Sequence, residues 1–205
     1  MVASEAISRP MAVGAAMRRV PGEPGIWIFV LLDMTIFAEM FGIFAWYRVE
    51  NSELFRASQG AVNPLYGLIY TLLLLSSSWC VVMAVSAARK GSTALSSKFV
   101  LWGLGLGAAF AVIKFFEYAG KFSAGITPLT NEFFMFYFVM TVVHLLHASV
   151  GLGVLTYMRK QILALPQRAP VDSSRGMRMI EASAIYWHMV DLLWIILFPL
   201  LYLVR

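Results

Sequence analysis

Five long runs of apolar residues divide this sequence, and short polar connections separate them. The runs cover residues 26–47, 65–88, 99–118, 132–158 and 181–204. Each contains the roughly 20 residues that an α-helix needs to cross about 30 Å of hydrocarbon. None shows the period-two alternation of a membrane β-strand, and lipid cannot satisfy the polar groups of an open backbone. The pattern therefore predicts an all-α integral membrane protein with five transmembrane helices.

Composition agrees with this prediction and leaves room for one domain. Of the 205 residues, 60% are hydrophobic and 13% are charged. Soluble domains contain about 45–50% apolar and about 25% charged residues. The connections between the runs are too short to form a separate domain. We therefore interpret residues 1–25 as an N-terminal tail and residues 26–205 as one five-helix membrane domain.

Basic residues are distributed unevenly between the two sides of the predicted bundle. Eleven lie in the tail and in the second and fourth connections, whereas four lie on the opposite side. The eleven are Arg9, Arg18, Arg19, Arg89, Lys90, Lys98, Arg159, Lys160, Arg168, Arg175 and Arg178. Because cytoplasmic loops carry the excess of lysine and arginine, we expect the N-terminus in the cytoplasm and the C-terminus outside. The net charge of +5 suits an anionic lipid surface and does not predict nucleic-acid binding.

Polar side chains inside the runs are the candidates for function, because a charged group in a bilayer normally faces protein or water. They are Asp33, Glu39, Lys114, Glu117, His144, His147, Glu181, His188 and Asp191. Asp33 and Glu39 are six residues apart, so their side chains point about 120° apart around a helix. We therefore expect them to face different neighbours. The three-residue separation of Lys114 and Glu117 lets them pair on one face.

The last run holds His188 and Asp191 inside an apolar segment, with Glu181 two turns earlier. Their spacing places all three on one helix face. Since a carboxylate is costly in lipid, Asp191 should point into the bundle and find a donor. His188 is the nearest donor on the same helix, and tyrosine or tryptophan side chains or another helix are alternatives. We interpret Glu181, His188 and Asp191 as a structural polar clamp that sets the rotation of the last helix.

Two patterns of small residues are interpreted as packing features. Gly103 and Gly107 are four residues apart, and this spacing permits close contact with a neighbouring helix. The glycines follow no predicted strand, so they do not predict a nucleotide site. Residues 76–78 are all serine, and we expect their hydroxyls to bond back to the preceding helical turn.

The small number of ligand residues argues against a metal centre. The sequence has three histidines and one cysteine, too few for the axial ligands of two membrane haems or for a pair of soft thiolates. The histidines alone are compatible with hydrogen bonds to neighbouring helices or to lipid head groups. Buried acids and histidines would also suit a stand-alone transporter or proton channel, although no inverted repeat supports that class.

Four segments resemble one known family. EASAIYWHMVDLLWIILFPLLYL resembles the final helix of haem–copper oxidase (cytochrome c oxidase) subunit III, and HLLHASVG resembles the helix with its paired histidines. FFEYAGKFSAGI and GIWIFVLLDMTIFAEMFGIFAWY resemble the family's Glu-Tyr segment and its acid-bearing first core helix. The resemblance runs in order over residues 22–204. GEPGIWIF and KFFEY most resemble the NorE-type branch, which is associated with bacterial nitric oxide reductase.

This resemblance implies a non-redox accessory subunit of a bacterial haem–copper oxidase in the cytoplasmic (inner) membrane. Haem and copper are then expected in the catalytic subunit I, which the first two spans would contact. The family fold implies a bundle with a V-shaped cleft that holds phospholipid. The family roles are to stabilise the catalytic subunit and to support proton delivery in aerobic respiration. A NorE-type subunit of a nitric oxide reductase complex is the alternative.

Alignment with the family motifs gives individual residues their expected roles. The family acid of the first core helix falls on Asp33, so Asp33 and the nearby Glu39 are the proton-uptake candidates. The candidates for a lipid-binding or polar cleft are Glu117, His144 and His147. Glu39 and Lys114 depart from the common family pattern. No catalytic or metal-binding residue is expected in this chain.

Overall fold

The computed structural model describes residues 20–165 and 175–203. In these ranges the chain forms six α-helices and a closing π-helical turn, with no strand. The elements are α1 Pro24–Glu50, α2 Ser52–Gln59, α3 Pro64–Arg89, α4 Thr93–Ser123, α5 Glu132–Leu163, α6 Arg175–Phe198 and the π turn Pro199–Leu203. Five of the helices are long and apolar enough to cross a membrane. The predicted all-α membrane fold is therefore confirmed.

Local sequence signals explain several helix starts. Proline occupies the first turn of α1 and of α3, where its missing N–H would have no acceptor within the helix. The side chains of Asn63 and Asn131 cap α3 and α5 by accepting hydrogen bonds from the backbone N–H groups of Leu65 (2.9 Å) and Phe134 (3.0 Å). These caps account for the close agreement between the predicted and observed starts of the second and fourth spans.

Two helices begin six residues before the apolar runs that predicted them. α4 begins six residues before the predicted span 99–118 and ends five residues after it, and α6 begins at Arg175 rather than at residue 181. Polar side chains lower the hydropathy of a segment, so the serines at the start of α4 fell outside the predicted span. In the structure these serines form hydrogen bonds inside the bundle. Ser96 donates to the carbonyl oxygen of Ala84 (2.7 Å), and Ser97 accepts a hydrogen bond from Arg159 (3.0 Å).

The short amphipathic helix α2 lies in a connection for which no helix was predicted. Its Phe55 is buried and packs edge-on against Phe44 of α1 and Phe133 of α5, with ring centroids 5.4 and 5.7 Å away. The amide of Gln59 donates to two carbonyl oxygens of the π turn, both at 3.3 Å. α2 therefore closes one end of the molecule, which we call the α2 end.

The four helices α3 to α6 form an up-and-down ring in which each helix packs against two others. α1 lies outside this ring, against α5, α6 and α2. Of the 27 residues of α1, only Asp33, Phe37 and Phe44 are buried. α1 is consequently a peripheral helix with most of its apolar surface exposed.

Trp187 of α6 fills the centre of the ring. Gly107 of α4 and Gly151 of α5 lie against opposite edges of its indole, and a Cβ added to either glycine would lie 2.7 Å from a ring carbon. Gly103 of α4 lies against α3, and a Cβ added to it would lie 3.4 Å from the carbonyl oxygen of Ser77. The predicted close contact of Gly103 and Gly107 with neighbouring helices is therefore confirmed.

The prediction that the serines of α3 bond back to their own helix is wrong for two of them. Ser77 donates to the carbonyl oxygen of Gly103 on α4 (2.8 Å), and Ser78 hydrogen-bonds Nδ1 of His188 on α6. α3 and α4 approach closely at Gly103. Ser77 therefore donates to a carbonyl oxygen of α4 instead of a carbonyl oxygen of its own helix. These serines therefore link three helices.

Candidate functional site

A buried ion pair lies near the α2 end of the bundle. The ammonium of Lys114 is 2.8 Å from Oε2 of Glu117, and the two side chains are 1% and 4% exposed. The predicted pairing of these residues on one face of α4 is confirmed. The ammonium of Lys121 approaches the other carboxylate oxygen at 4.0 Å. Such a pair is stable in an apolar interior only when further hydrogen bonds satisfy its remaining donors and acceptors.

Three tyrosines from three elements supply those hydrogen bonds. Tyr70 of α3 donates to Oε2 of Glu117 (2.9 Å), and Tyr137 of α5 donates to Oε1 (2.7 Å). Lys114 in turn donates to the hydroxyls of Tyr137 (2.9 Å) and of Tyr202 in the π turn (3.0 Å). An ammonium has three donors, and all three are used. We call these five residues the tyrosine–ion-pair cluster.

Aromatic rings also surround the ammonium of Lys114. The centroids of five rings lie 4.8 to 5.8 Å from Nζ, belonging to Tyr70, Tyr118, Tyr137, Trp194 and Tyr202. A cation over the face of an aromatic ring is attracted by the ring's quadrupole, and more strongly when water is excluded. The cluster therefore joins α3, α4, α5 and the π turn through one buried cation. Sequence reasoning found the pair but missed its tyrosines.

Asp33 of α1 and His147 of α5 form a second polar contact. Nε2 of His147 lies 3.0 Å from Oδ1 of Asp33, and Nδ1 lies 2.8 Å from the carbonyl oxygen of Val143. A carbonyl oxygen can only accept, so Nδ1 carries a proton. The hydrogen bond between Nε2 and Oδ1 then contains one further proton, held by the imidazole or by the carboxyl group. Asp33 is buried, so this contact can hold a proton inside the protein.

His144 lies one turn before His147 but in a different environment. It is fully buried between the rings of Phe110 and Trp194, whose centroids are 5.7 and 5.3 Å away. Neither ring nitrogen has a hydrogen-bond partner within the described residues. Glu117, His144 and His147 therefore occupy three separate environments and do not converge on one surface.

Glu181 connects the start of α6 to two other segments. Its carboxylate accepts hydrogen bonds from the backbone N–H of Gly22 (2.9 Å) and from the guanidinium of Arg89 on α3 (3.0 Å). Arg178 donates to Glu23 (2.7 Å). Of the tail predicted over residues 1–25, residues 1–19 lie outside the described residues, and these bonds hold Gly22 and Glu23 against α6.

His188 and Asp191 both face α3 rather than each other. Nδ1 of His188 bonds the hydroxyl of Ser78, and Ser78 also lies beside Asp191. Within the described residues, Oδ1 of Asp191 has no hydrogen-bond partner. Asp191 is buried, as predicted. Its polar neighbour Ser78 lies on another helix, and no hydrogen bond joins Asp191 to His188 in residues 20–165 and 175–203. The predicted donor for Asp191 stays a prediction.

Glu39 lies on a different side of α1 from Asp33. Asp33 is buried against α5, whereas Glu39 is exposed on the outside of the molecule. The prediction that the two acids face different neighbours is confirmed. The structure consequently does not bring the two proton-uptake candidates together.

The histidines have three different kinds of neighbour: a carboxylate for His147, aromatic rings for His144 and a serine for His188. Over residues 20–165 and 175–203, no three His, Cys, Asp or Glu side chains gather as metal ligands. The side-chain geometry of these ranges therefore assigns no metal centre.

An apolar groove of about 410 Å³ lies between α3 and α6. Val82, Val85 and Ile185 line its wall, and Lys90 lies at its end with the ion pair of Arg89 and Glu181. Apolar walls beside the ammonium of Lys90 match the chemistry of an acyl chain with an anionic head group.

Comparisons with known proteins extend these observations. Residues 23–204 match the family described as Cytochrome c oxidase subunit III. The chain is 27% identical over 179 residues to Cytochrome bo(3) ubiquinol oxidase subunit 3 of Pseudomonas aeruginosa, covering 87% of this chain and 83% of that protein. It is 23% identical over 185 residues to a Probable quinol oxidase subunit 3 of Staphylococcus haemolyticus, covering 88% and 87%. A protein of the same description from Staphylococcus aureus is 24% identical over 180 residues.

Proposed function

This chain belongs to the cytochrome c oxidase subunit III family, and we propose that it is a non-redox accessory subunit of a bacterial haem–copper oxidase. The observation that carries the proposal is the extent of the family match. It begins one residue before α1 and ends one residue after the π turn. It therefore includes all five candidate spans. Haem and copper belong, in this proposal, to the catalytic subunit I beside this chain.

Two further observations support a role without redox chemistry. The three histidines lie in separate environments, so they offer no shared set of metal ligands. The buried polar groups near the α2 end satisfy one another through the tyrosine–ion-pair cluster, as groups that stabilise a fold do. Relatives at similar length are named as subunits of quinol oxidases, which supports an oxygen-reducing partner in the inner membrane.

Purification of the native complex tests this proposal. The full chain would carry an affinity tag and be isolated from its own membranes in mild detergent. We expect a larger haem-containing subunit to copurify and the complex to consume oxygen. A colourless oligomer of this chain that moves ions in vesicles would instead identify a stand-alone transporter or channel.

The same preparation separates the two respiratory alternatives. The sequence details that resemble the NorE-type branch favour a nitric oxide reductase as partner, whereas the quinol oxidase relatives favour an oxidase. Consumption of nitric oxide without consumption of oxygen would select the NorE-type role.

We place the support for proton delivery at the contact of Asp33 with His147. Its hydrogen bond holds one proton between two groups that can each carry it, inside a buried part of α1 and α5. Glu39 faces away from this contact. The sequence prediction that both acids act in proton uptake is therefore retained for Asp33 alone.

Phospholipid is proposed to bind in the groove between α3 and α6. The groove joins apolar walls to the ammonium of Lys90, and Arg89 beside it is paired with Glu181. Glu117 is bonded, and His144 is enclosed, inside the bundle. Lipid in this groove would stabilise the contact between α3 and α6. Native mass spectrometry of the complex should show retained anionic phospholipid, and less of it in a Lys90→Gln variant.

A further inference from the structure

The outward face of α1 carries a charged residue in the middle of a span. Glu39 lies two residues from the midpoint of Pro24–Glu50, or about 3 Å along the axis at about 1.5 Å per residue. Its side chain is exposed. The other charged residues deep in the described spans are buried, namely Asp33, Lys114, Glu117 and Asp191.

Glu39 points away from the bundle. The buried positions of α1 are Asp33, Phe37 and Phe44. At about 100° per residue, their mean direction is about 140° from that of Glu39. Within the described residues, no hydrogen bond or ion pair joins Glu39 to another side chain. The carboxylate therefore faces whatever lies beside α1 in the membrane.

Glu39 belongs to a regular row of exposed residues, which we call the outer stripe. The row consists of Ile28, Leu32, Thr35, Glu39, Gly42 and Trp46, and all six are exposed. Successive members are four, three, four, three and four residues apart. This average repeat of about 3.6 residues is that of the α-helix itself, so the six residues form one straight row along the outward face of α1.

The outer stripe also has space for the side chains of a partner. Nothing lies within 4 Å of a Cβ added to Gly42. A groove of about 530 Å³ borders Gly42, Trp46 and the last turn of α1. Helices in membranes associate through small residues that permit close approach and through polar side chains that bond across the contact. Gly42 and Glu39 are such a pair, one turn apart.

The outer stripe could face lipid, a second copy of this chain or a helix of another subunit, and the carboxylate of Glu39 distinguishes these three candidates. Acyl chains offer it no hydrogen-bond donor, and a charged group in the bilayer pairs with protein or water. A second copy of this chain, packed through the same stripe, would place two Glu39 carboxylates together. A helix with an arginine, lysine, histidine or hydroxyl side chain supplies the missing donor.

We propose that the outer stripe of α1 docks a transmembrane helix of another subunit of the oxidase complex, and that a basic or hydroxyl side chain of that helix donates a hydrogen bond to Glu39. The inference rests on the proposed function, because it takes the partner from the assembled complex. It adds the face, the register and the chemistry of the contact.

Copurification of the full complex from native membranes tests the role of the carboxylate. Glu39→Leu removes the acceptor and leaves an apolar face that suits lipid, so the variant should be inserted and folded but should lose most of the haem-containing subunit. Ser149→Leu is the matched control, because Ser149 is exposed on α5 and bonds its own helix. It should retain the complex. Equal retention in both variants would overturn the inference.

Photocrosslinking in the whole complex tests the face itself. A photoreactive residue at Leu32 or Trp46 should crosslink to one membrane subunit, whereas the same residue at Trp102, exposed on α4, should not crosslink to it. Crosslinks to lipid alone, or to a second copy of this chain, would overturn the inference. A wild-type chain that copurifies with no haem-containing subunit would overturn the proposed function as well, which distinguishes the two failures.

Discussion

At the scale of single residues, the ion pair of Lys114 and Glu117 has the clearest energetic consequence. Glu117→Gln removes the negative charge and leaves the ammonium of Lys114 buried among aromatic rings. Loss of one partner from a buried pair typically lowers the free energy of unfolding by about 3–5 kcal/mol. We expect a loss of this size in thermal unfolding in detergent, followed by tryptophan fluorescence.

A double variant provides the control for this prediction. Lys114→Met combined with Glu117→Gln removes both charges, so no uncompensated ion is buried. It should be more stable than Glu117→Gln alone. If the double variant is the less stable of the two, the aromatic rings rather than the carboxylate hold the cation.

His144 gives the opposite prediction, because its ring nitrogens face apolar neighbours. His144→Phe replaces them with carbon between Phe110 and Trp194, and removal of an unsatisfied buried polar group gains about 1 kcal/mol. The unfolding temperature should therefore stay the same or rise. His147→Phe is the matched variant, and it should lower the unfolding temperature because Asp33 loses its partner. A larger loss for His144→Phe would show that His144 has a ligand in the assembled protein.

The sequence predicted part of this chemistry. Spacing along one helix correctly paired Lys114 with Glu117 and separated Asp33 from Glu39. It could not predict the tyrosines around Lys114, because Tyr70, Tyr137 and Tyr202 come from different helices. It also could not show that Ser78 rather than His188 lies beside Asp191. Contacts between helices depend on rotations that hydropathy does not specify.

At the scale of helices, the packing of Trp187 predicts the effect of changing individual glycines. Gly107→Leu and Gly151→Leu would each place side-chain atoms where the indole lies. Overpacking of this kind typically costs about 1–3 kcal/mol, so both variants should unfold at lower temperature than the wild type.

Two other glycines serve as controls on the same helices. Gly105 of α4 and Gly153 of α5 have nothing within 4 Å of an added Cβ. Gly105→Leu and Gly153→Leu should therefore leave the unfolding temperature unchanged or raise it, since leucine is the better helix former. Equal destabilisation at all four positions would show that Trp187 does not control the packing of α6.

Sequence reasoning at this scale found every long helix but not every boundary. Apolar run lengths identified the five spans, and the two starts that they predicted most closely are the ones that Asn63 and Asn131 cap in the structure. The method shortened α4 because its buried serines and lysines resemble loop residues. Hydropathy did not predict α2, because only a few of its eight residues are apolar and the mean hydropathy of the segment is low. Its tertiary contact with Phe44 and Phe133 supports that helix.

At the scale of the whole molecule, Asp33 and Asp191 should differ in what they support. In the Asp33→Asn variant, the amide cannot carry the proton that the Asp33–His147 contact holds. The assembled complex should therefore consume oxygen more slowly, with its haem spectrum unchanged. Asp191→Asn, in the proposed clamp of α6, should weaken assembly or lipid retention and leave turnover of the intact complex unchanged. Oxygen consumption per haem separates the two effects. The reverse pattern would assign the proton role to Asp191.

The order in which the chain is made has a consequence for the tyrosine–ion-pair cluster. α4 brings Lys114 and Glu117 into the membrane together, so during translation each charge already has its opposite within one turn. Tyr202 leaves the ribosome 88 residues after Lys114. Until it arrives, one donor of the ammonium has no acceptor within the cluster. A nascent chain that stops before the π turn should therefore be left with an incompletely bonded cation inside the membrane.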